Sequence, residues 1–409
     1  MTTTIVETAR KAKGHWFLLT LAGIGVVSLV RIVSGTDDIS SAGTIRAAII
    51  ATCPILMAAL GGLWAERAGV VNIGLEGQMI LGTWGAAFFT YHGGPWVGVL
   101  GAVIFGMIGG LLHAVATVTF GVDHIVSGVA INLIGAGAAT FLAEAIFPDL
   151  RGGGPRQLGG LETPTKITVP GVSDLSLDLA QKGWFFVSDV AALVGALTTS
   201  LSTLSIVVFA LVAVSGYVLW RTSFGLRLRS CGENPQAAET LGVNVYLYKY
   251  IAVIISGGLA GIGGGFLALV ASSGFNNGQT GGRGFIGLAA MIFGNWRPGG
   301  LLAGAVTFGY TDSLRLRNAD AVHALLLLLA VGLLAFAAWR AAQGSWRSGA
   351  GIGVIGALLL LWYVSTDTVP RDFTSMTPYV TTLLVLALGA QRLRMPAADG
   401  QQYRRGRVG

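Results

Sequence analysis

Long apolar runs, separated by short stretches carrying Gly, Pro or Arg, fill most of the chain. A membrane-crossing helix needs about 20 mostly apolar residues, somewhat fewer where helices are broken inside a bundle. Runs of this kind cover residues 16–33, 47–64, 70–91, 96–119, 125–147, 201–220, 250–272, 321–339, 351–364 and 378–390, with two shorter ones at 285–296 and 301–314. They predict an all-α, polytopic transmembrane helical bundle of about 10–12 segments, some of them short or broken. Either short run is consistent with a half-helix that never crosses. The start of the first run, with Arg10, Lys11 and Lys13, also fits a secretory leader, but no small-residue cleavage pattern follows, so a retained helix is expected.

Composition sharpens the membrane reading. Hydrophobic residues make up 53% and charged residues 11% of 409, where a soluble domain carries about 25% charged residues. A lipid bilayer is the solvent that suits such a chain. Many of its 62 glycines lie inside apolar runs, as in 101–106 and 257–261, which favours close helix packing over disorder. The net charge of +7 does not point to nucleic acid, because the basic residues sit in short loops and tails. Cys53 lies in an apolar run and Cys231 in a basic loop, so neither a disulfide nor a metal site is expected.

Basic loops orient the bundle. With the N-terminus in the cytosol, Arg67, Arg221, Arg227, Arg229, Lys249, Arg297, Arg340 and Arg347 fall on the cytosolic side, as do Arg392, Arg394, Arg404, Arg405 and Arg407. The exceptions are Arg46, Arg151, Arg156, Lys166, Lys182, Arg315, Arg317 and Arg371, several of them in a long loop where the rule is weak. The expected organisation is a cytosolic tail over 1–15, a transmembrane domain over 16–391 and a basic cytosolic tail over 392–409. Within the domain, 148–200 forms an external loop and 221–249 a cytosolic one. The external loop turns apolar from Trp184 to Leu197, and either dips into the membrane or forms a small cap.

A weak internal echo links Ile73–Trp84 with Ile286–Trp296, each after a polar, glycine-bearing stretch. Paired broken segments point to a transport pathway and to an inverted repeat; chance likeness between glycine-rich helices is the competing explanation.

No hydrolytic or redox constellation is visible. His15, His92, His113, His124 and His323 are scattered, and none of the lysines (Lys11, Lys13, Lys166, Lys182, Lys249) follows a glycine as a phosphate-binding loop requires. The chain is therefore expected to bind no cofactor and to be no enzyme; ATP and Mg, if they drive it, sit on another polypeptide.

Polar residues inside apolar runs are costly and become pathway candidates. Asn72, Glu76 and Gln78 stand at the start of one run; Glu76 either lines a polar cavity or pairs with a backbone group or a basic residue and holds the bundle together. Asp123 reads as a helix cap beside His124, with Asn132 further along the same run. Residues 273–284 are too polar for lipid, and Asn276, Asn277, Gln279 and Arg283 offer donors and acceptors for hydroxyls or a base edge. An external loop would look the same. Trp84, Phe275, Phe285 and Trp296 are aromatics available for stacking on a base. In the loop 221–249, Asn234 suits a helix cap, Pro235 a first helical position and Gly242 a helix end. A short capped helix over 235–241 would lie across the cytosolic face as a docking element.

At this point the chain resembles the permease family of branched-chain amino acid, ribose and nucleoside ABC importers, and the nucleoside-type members most. The likeness rests on 66–78 (ERAGVVNIGLEGQ), 232–238 (GENPQAA) with Gly242, 256–261 (SGGLAG), 283–290 (RGFIGLAA), and 378–387 with 396–398. It departs from plainer members in the extra apolar pair 321–339 and 351–364. The resemblance implies a bacterial inner-membrane permease that moves nucleosides or related sugar-bearing solutes by alternating access. It also implies a cytosolic ABC ATPase, a second homologous permease (a heterodimer) and an extracytoplasmic solute-binding lipoprotein as partners. Glu233, Asn234, Pro235, Ala237, Ala238 and Gly242 would then form the loop that docks on the ATPase. Two alternatives stay open: a proton- or ion-coupled secondary transporter using Glu76, and an ABC permease for simple sugars or branched-chain amino acids.

Overall fold

The structure, a computed structural model, describes residues 23–317, 319–366, 369 and 393–405. The tail 1–15, the start of the run 16–33, the run 378–390 and residues 406–409 lie outside the described residues. The fold is all-α, with strands of only two residues. Its helices are α1 (Gly23–Ser34), α2 (Ala42–Arg67), α3 (Leu75–Gly93), α4 (Pro95–Ala114) and α5 (His124–Ile146). Two short helices follow, α6 (Val172–Gln181) and α7 (Val187–Thr198). Then come α8 (Thr203–Arg221), α9 (Ser223–Glu233), α10 (Pro235–Thr240) and α11 (Val245–Phe266). The described helices end with α12 (Arg283–Phe293), α13 (Pro298–Arg317), α14 (Ala319–Ala342) and α15 (Trp346–Ser365).

Six helical stretches among the described residues are long and apolar enough to cross a membrane: Asp37–Arg67, Pro95–Thr119, His124–Asp149, Thr203–Arg221, Val245–Ala271 and Val322–Ala342. The run 285–296 becomes an 11-residue helix, too short to span at 1.5 Å per residue. The run 301–314 is the middle of the 20-residue α13, which Pro298 opens. The run 70–91 is helical only from Leu75, because the chain is broken over 68–74.

Two compact units result. Of the described residues, one comprises 23–48, 167–201, 310–317, 319–366 and 369; the other comprises 49–166, 202–309 and 393–405. In the first, α14 and α15 form an antiparallel hairpin, with Gly349 against Ala337 and Ala341 and Gly356 against Leu333 and Leu334. The stretch 167–201 forms a second hairpin from α6 and α7, in which Gly195 meets Leu177.

The second unit is built around α3, which buries 13 of its 19 residues. That burial explains how a helix starting Leu-Glu-Gly-Gln survives here: its polar side chains face protein, where partners are fixed, and not hydrocarbon. Between α3, α4 and α11 there is almost no side-chain layer. A Cβ on Gly82 would stand 2.5 Å from the carbonyl oxygen of Gly261, and one on Gly110 2.6 Å from that of Val253. Gly106 and Gly257 press on each other's backbone in the same way. Such approach maximises dispersion contact where lipid supplies no hydrophobic drive between helices. Beside this seam, Ile55, Leu56, Leu60 and Leu63 of α2 pack with Leu204 and Val208 of α8, Phe266 of α11 and Met291 of α12.

Candidate functional site

The break between α2 and α3 is held by side chains from four elements. Gly69 turns left-handed (φ +80°) and its amide donates to the Glu66 carbonyl at 2.9 Å, closing α2. Val71 N–H donates to His124 Nδ1 at 3.2 Å, while the Val71 carbonyl lies 3.0 Å from His113 Nε2. These contacts put the proton of both imidazoles on Nε2, so His113 Nδ1 accepts from the Ser127 hydroxyl at 2.8 Å. Asn132 bridges further on: its Oδ1 accepts from Gly77 N–H at 2.8 Å and its Nδ2 donates to the Ile73 carbonyl at 3.1 Å. Asn72 accepts from Gly74 N–H at 3.1 Å and donates to Gln78 Oε1 at 3.0 Å and to Ser256 Oγ at 2.8 Å. Unpaired backbone groups in this setting would each cost several kcal/mol, on the order of 2–7. The polar side chains answer that cost.

Glu76 joins the break to the second broken segment. Its carboxylate, 7% exposed, accepts from Gly282 N–H at 2.9 Å and from Gly284 N–H at 2.6 Å, the orphan donors at the start of α12. The two echoing helix starts therefore meet at one carboxylate. A negative charge at a helix N-terminus is favoured by the dipole as well as by the two hydrogen bonds. Of the two roles weighed for Glu76, pairing with backbone is the one its geometry displays.

The polar stretch before α12 is a surface loop fastened on both sides. Phe275 and Asn276 pair antiparallel with Leu158 and Gln157. Gln279 Oε1 accepts from Asn276 N–H and Ser272 Oγ, each at 3.2 Å. Thr140 of α5 donates to Asn277 Oδ1 at 3.3 Å, and Arg283 reaches the carbonyls of Gln279 and Thr280. Asn276 and Asn277 are exposed; Gln279, Arg283 and Asn132 are half-buried; Asn72, Glu76, Gln78 and His124 are buried. The nine candidates thus divide into a buried brace and a solvent-facing rim. Three of the four aromatics are spent in the core. Trp84 stacks on Phe88 and Phe147, Phe275 meets Phe147 edge-on, and Trp296 donates to Glu66. Phe285, 47% exposed at the start of α12, remains available.

At another end of the same unit, α9 and α10 make a capped corner. Asn234 Oδ1 accepts from Ala237 N–H at 2.9 Å, Pro235 takes the first helical position, and Gly242 (φ +80°) donates to the Glu239 carbonyl. Pro235 and Ala238 face inward, Ala238 against Cys231, Val245 and Tyr403. Burial comes first among the causes that push the Cys231 thiol up to about 11, so it stays protonated and inert. Glu233, Asn234, Ala237 and Gly242 face outward, as does Leu241, which is 84% exposed. Glu233 pairs with Arg67 at 3.7 Å, and Arg67 donates to the Trp296 carbonyl through Nε at 3.1 Å and Nη2 at 2.6 Å. Sequence reasoning missed Ser256, Ser127, Glu66, Asp399 and Tyr403, whose partners lie far along the chain and leave no local signal.

Comparison with known proteins agrees with this architecture. The sequence profile described as "Branched-chain amino acid transport system / permease component" matches residues 44–338. The guanosine ABC transporter permease protein NupQ of Bacillus subtilis is 34% identical over 371 residues, 89% of this chain and 97% of that protein. The nucleoside ABC transporter permease protein NupC of Lactococcus lactis is 33% identical over 362 residues, 87% of this chain and 94% of that protein. A putative glucose ABC transporter permease protein of Haloferax volcanii, TsgC13, is 33% identical over 371 residues, 89% and 98% of the two chains. No solved structure matches. An all-α bundle with several membrane-length helices, two broken starts joined inside it, and a match over most of its length place this multi-pass membrane chain in the branched-chain amino acid transport permease family, as a permease subunit of an ABC importer.

Proposed function

We propose that this subunit imports nucleosides across a bacterial plasma membrane. In this reading both termini are cytosolic, and the chain works with a second, homologous permease, a cytosolic ABC ATPase that holds ATP and Mg, and an extracytoplasmic solute-binding lipoprotein. The observation that carries the coupling half is the capped corner. A six-residue helix is too short to persist alone, yet Asn234, Pro235 and Gly242 fix α10 with Ala237 and Leu241 facing outward. A surface built in this way suits a partner that pushes on it.

The solute half is supported by the names of the guanosine and nucleoside relatives and by the rim around α12. Asn276, Asn277 and Gln279 offer donors and acceptors for ribose hydroxyls and base edges, and Phe285 offers a face for stacking. Glu76 keeps the two helix starts in register while solute passes, and Asn72, Gln78, His124 and Asn132 hold the break before α3. Alternating access then needs solute and ATP to favour different states of the bundle. The chain itself makes and breaks no bond.

Uptake of labelled guanosine into cells with and without this chain tests the proposal. Unlabelled nucleosides should compete, whereas glucose, free pentoses and leucine should not; competition by glucose would move the solute to the sugar class. Depleting ATP while the proton gradient is maintained should stop uptake, and persistent uptake would overturn the ATP-driven reading.

A further inference from the structure

Residues 393–405 follow the helical part of the chain and, by sequence, form a basic tail of the kind that is usually solvated. In the structure they form a strap. Ala398, Asp399 and Tyr403 are only 5%, 8% and 8% exposed. Arg394 N–H donates to Asn295 Oδ1 at 2.7 Å, in the turn after α12. Ala398 N–H donates to the Gly232 carbonyl at 2.9 Å and Ala397 N–H to Glu233 Oε2 at 3.3 Å, both at the end of α9. Tyr403 donates to Glu239 Oε2 of α10, and Arg405 Nε pairs with Glu239 Oε1 at 3.1 Å. Lys249 of α11 donates to the Gly69 carbonyl at 3.3 Å and stands 5.9 Å above the Tyr403 ring. A Cβ at Gly69 would meet the Ala398 carbonyl oxygen at 3.2 Å and Gly232 Cα at 3.1 Å, so strap, break and α9 stack without a gap.

We infer that this strap is a positioning element of the coupling apparatus, in which Asp399 and Tyr403 tie α10 to the break over 68–74, so that displacement of α10 reaches the start of α3. The inference rests on the proposed docking of α10 on an ATPase. Its physical basis is that α10 buries only Pro235 and Ala238. Without the bonds from Tyr403 and Arg405, the helix would answer a push by moving alone. With them, the push is shared by α9, the strap and the break.

Asp399 gives the strap a titratable latch. Its buried carboxyl lies beside that of Glu66, with Lys249, Arg67, Cys231 and Glu233 as the other titratable or charged groups nearby. Burial, the largest cause, raises Asp399 to about 7; Glu66, Lys249, the Gly400 amide and Arg67 pull the other way. A carboxyl in water titrates near 3.9, so the docked strap binds the proton that a released strap would lose. The sign follows: this contribution is complete below about pH 4, shrinks as pH rises, and is gone above about pH 7.

The test uses the assembled importer in proteoliposomes, with uptake per ATP hydrolysed as the readout, and hydrogen exchange of the purified chain beside it. Removal of residues 393–409 should lower uptake per ATP about tenfold while ATP hydrolysis continues, and should raise exchange in α10 and in 68–74 together. Tyr403→Phe should lower the ratio about threefold, the low end for one lost hydrogen bond, because Arg405 still holds Glu239. Asp399→Asn, a near-isostere should the truncated chain fail to fold, should flatten the decline of strap protection between about pH 4 and pH 7. An unchanged uptake-to-ATP ratio on truncation, exchange rising in α10 without 68–74, or an Asp399→Asn profile that follows the parent protein would each overturn the inference. Uptake by the parent importer that proceeds without ATP would instead overturn the docking reading, and the exchange of α10 and 68–74 still decides the strap.

Discussion

Two helix starts in one unit are capped in opposite ways. Helix α10 receives its cap from Asn234, three residues before the amide that it serves. Helix α12 receives its cap from Glu76, 206 and 208 residues away in sequence from the amides that it serves. The local cap lets a six-residue helix hold its shape at the surface. The distant cap makes α12 depend on α3, so the two broken segments fold, and shift, as a pair. A docking surface needs its shape fixed locally; a path through the bundle needs its walls linked.

That contrast can be broken experimentally. The largest effect is expected at the strut. Glu76→Ala leaves the Gly282 and Gly284 amides without their acceptor, and should cost about 3 kcal/mol, with Glu76→Gln intermediate. Thermal unfolding in detergent measures this, and an unchanged midpoint for Glu76→Ala would show that α12 stands without the strut. Asn132→Ala removes two bonds to the break and should cost about 2 kcal/mol, with faster exchange at Gly77 as the local sign. Asn234→Ala should cost only about 1 kcal/mol and be restored by Asp, an equally good cap. Its uptake should fall far more than its stability, and equal losses in both would make α10 an ordinary surface turn. Smallest is Asn277→Ala, on the exposed rim, with stability within about 0.5 kcal/mol of the parent. If the rim meets solute, the KM for uptake rises severalfold in that variant while unfolding is unmoved.

The sequence was legible where the physics is local. Asn234, Pro235 and Gly242 lie close enough together to define α10 alone, and the helix ends at Thr240, one residue short of the expected end. Asp123 likewise caps α5, accepting from Ile125 and Val126 amides at 2.9 and 3.0 Å. Membrane-length runs were legible too, since hydropathy needs no partner to be read. What stayed hidden was every bond made across the bundle. Nothing near Glu76 announces Gly282; nothing near Asn72 announces Ser256. The apolar Val70 and Val71 looked helical because hydrophobicity was their only local property, whereas His113 and His124 hold Val71 in a break. The tail over 393–405 misled for the same reason: its arginines advertise solvent, while Ala398, Asp399 and Tyr403 are buried.

The glycine seam between α3, α4 and α11 bears on how such a chain can diversify. At Gly82, Gly106, Gly110, Gly257 and Gly261 the neighbour met by an added methyl is backbone, which has no rotamer to change. The smallest possible side-chain change is therefore already too large at these positions. In a saturation library they should form a stripe that rejects even alanine, flanked by loops that accept many residues. New solute preferences would have to be found in those loops, around a centre that allows no experiments.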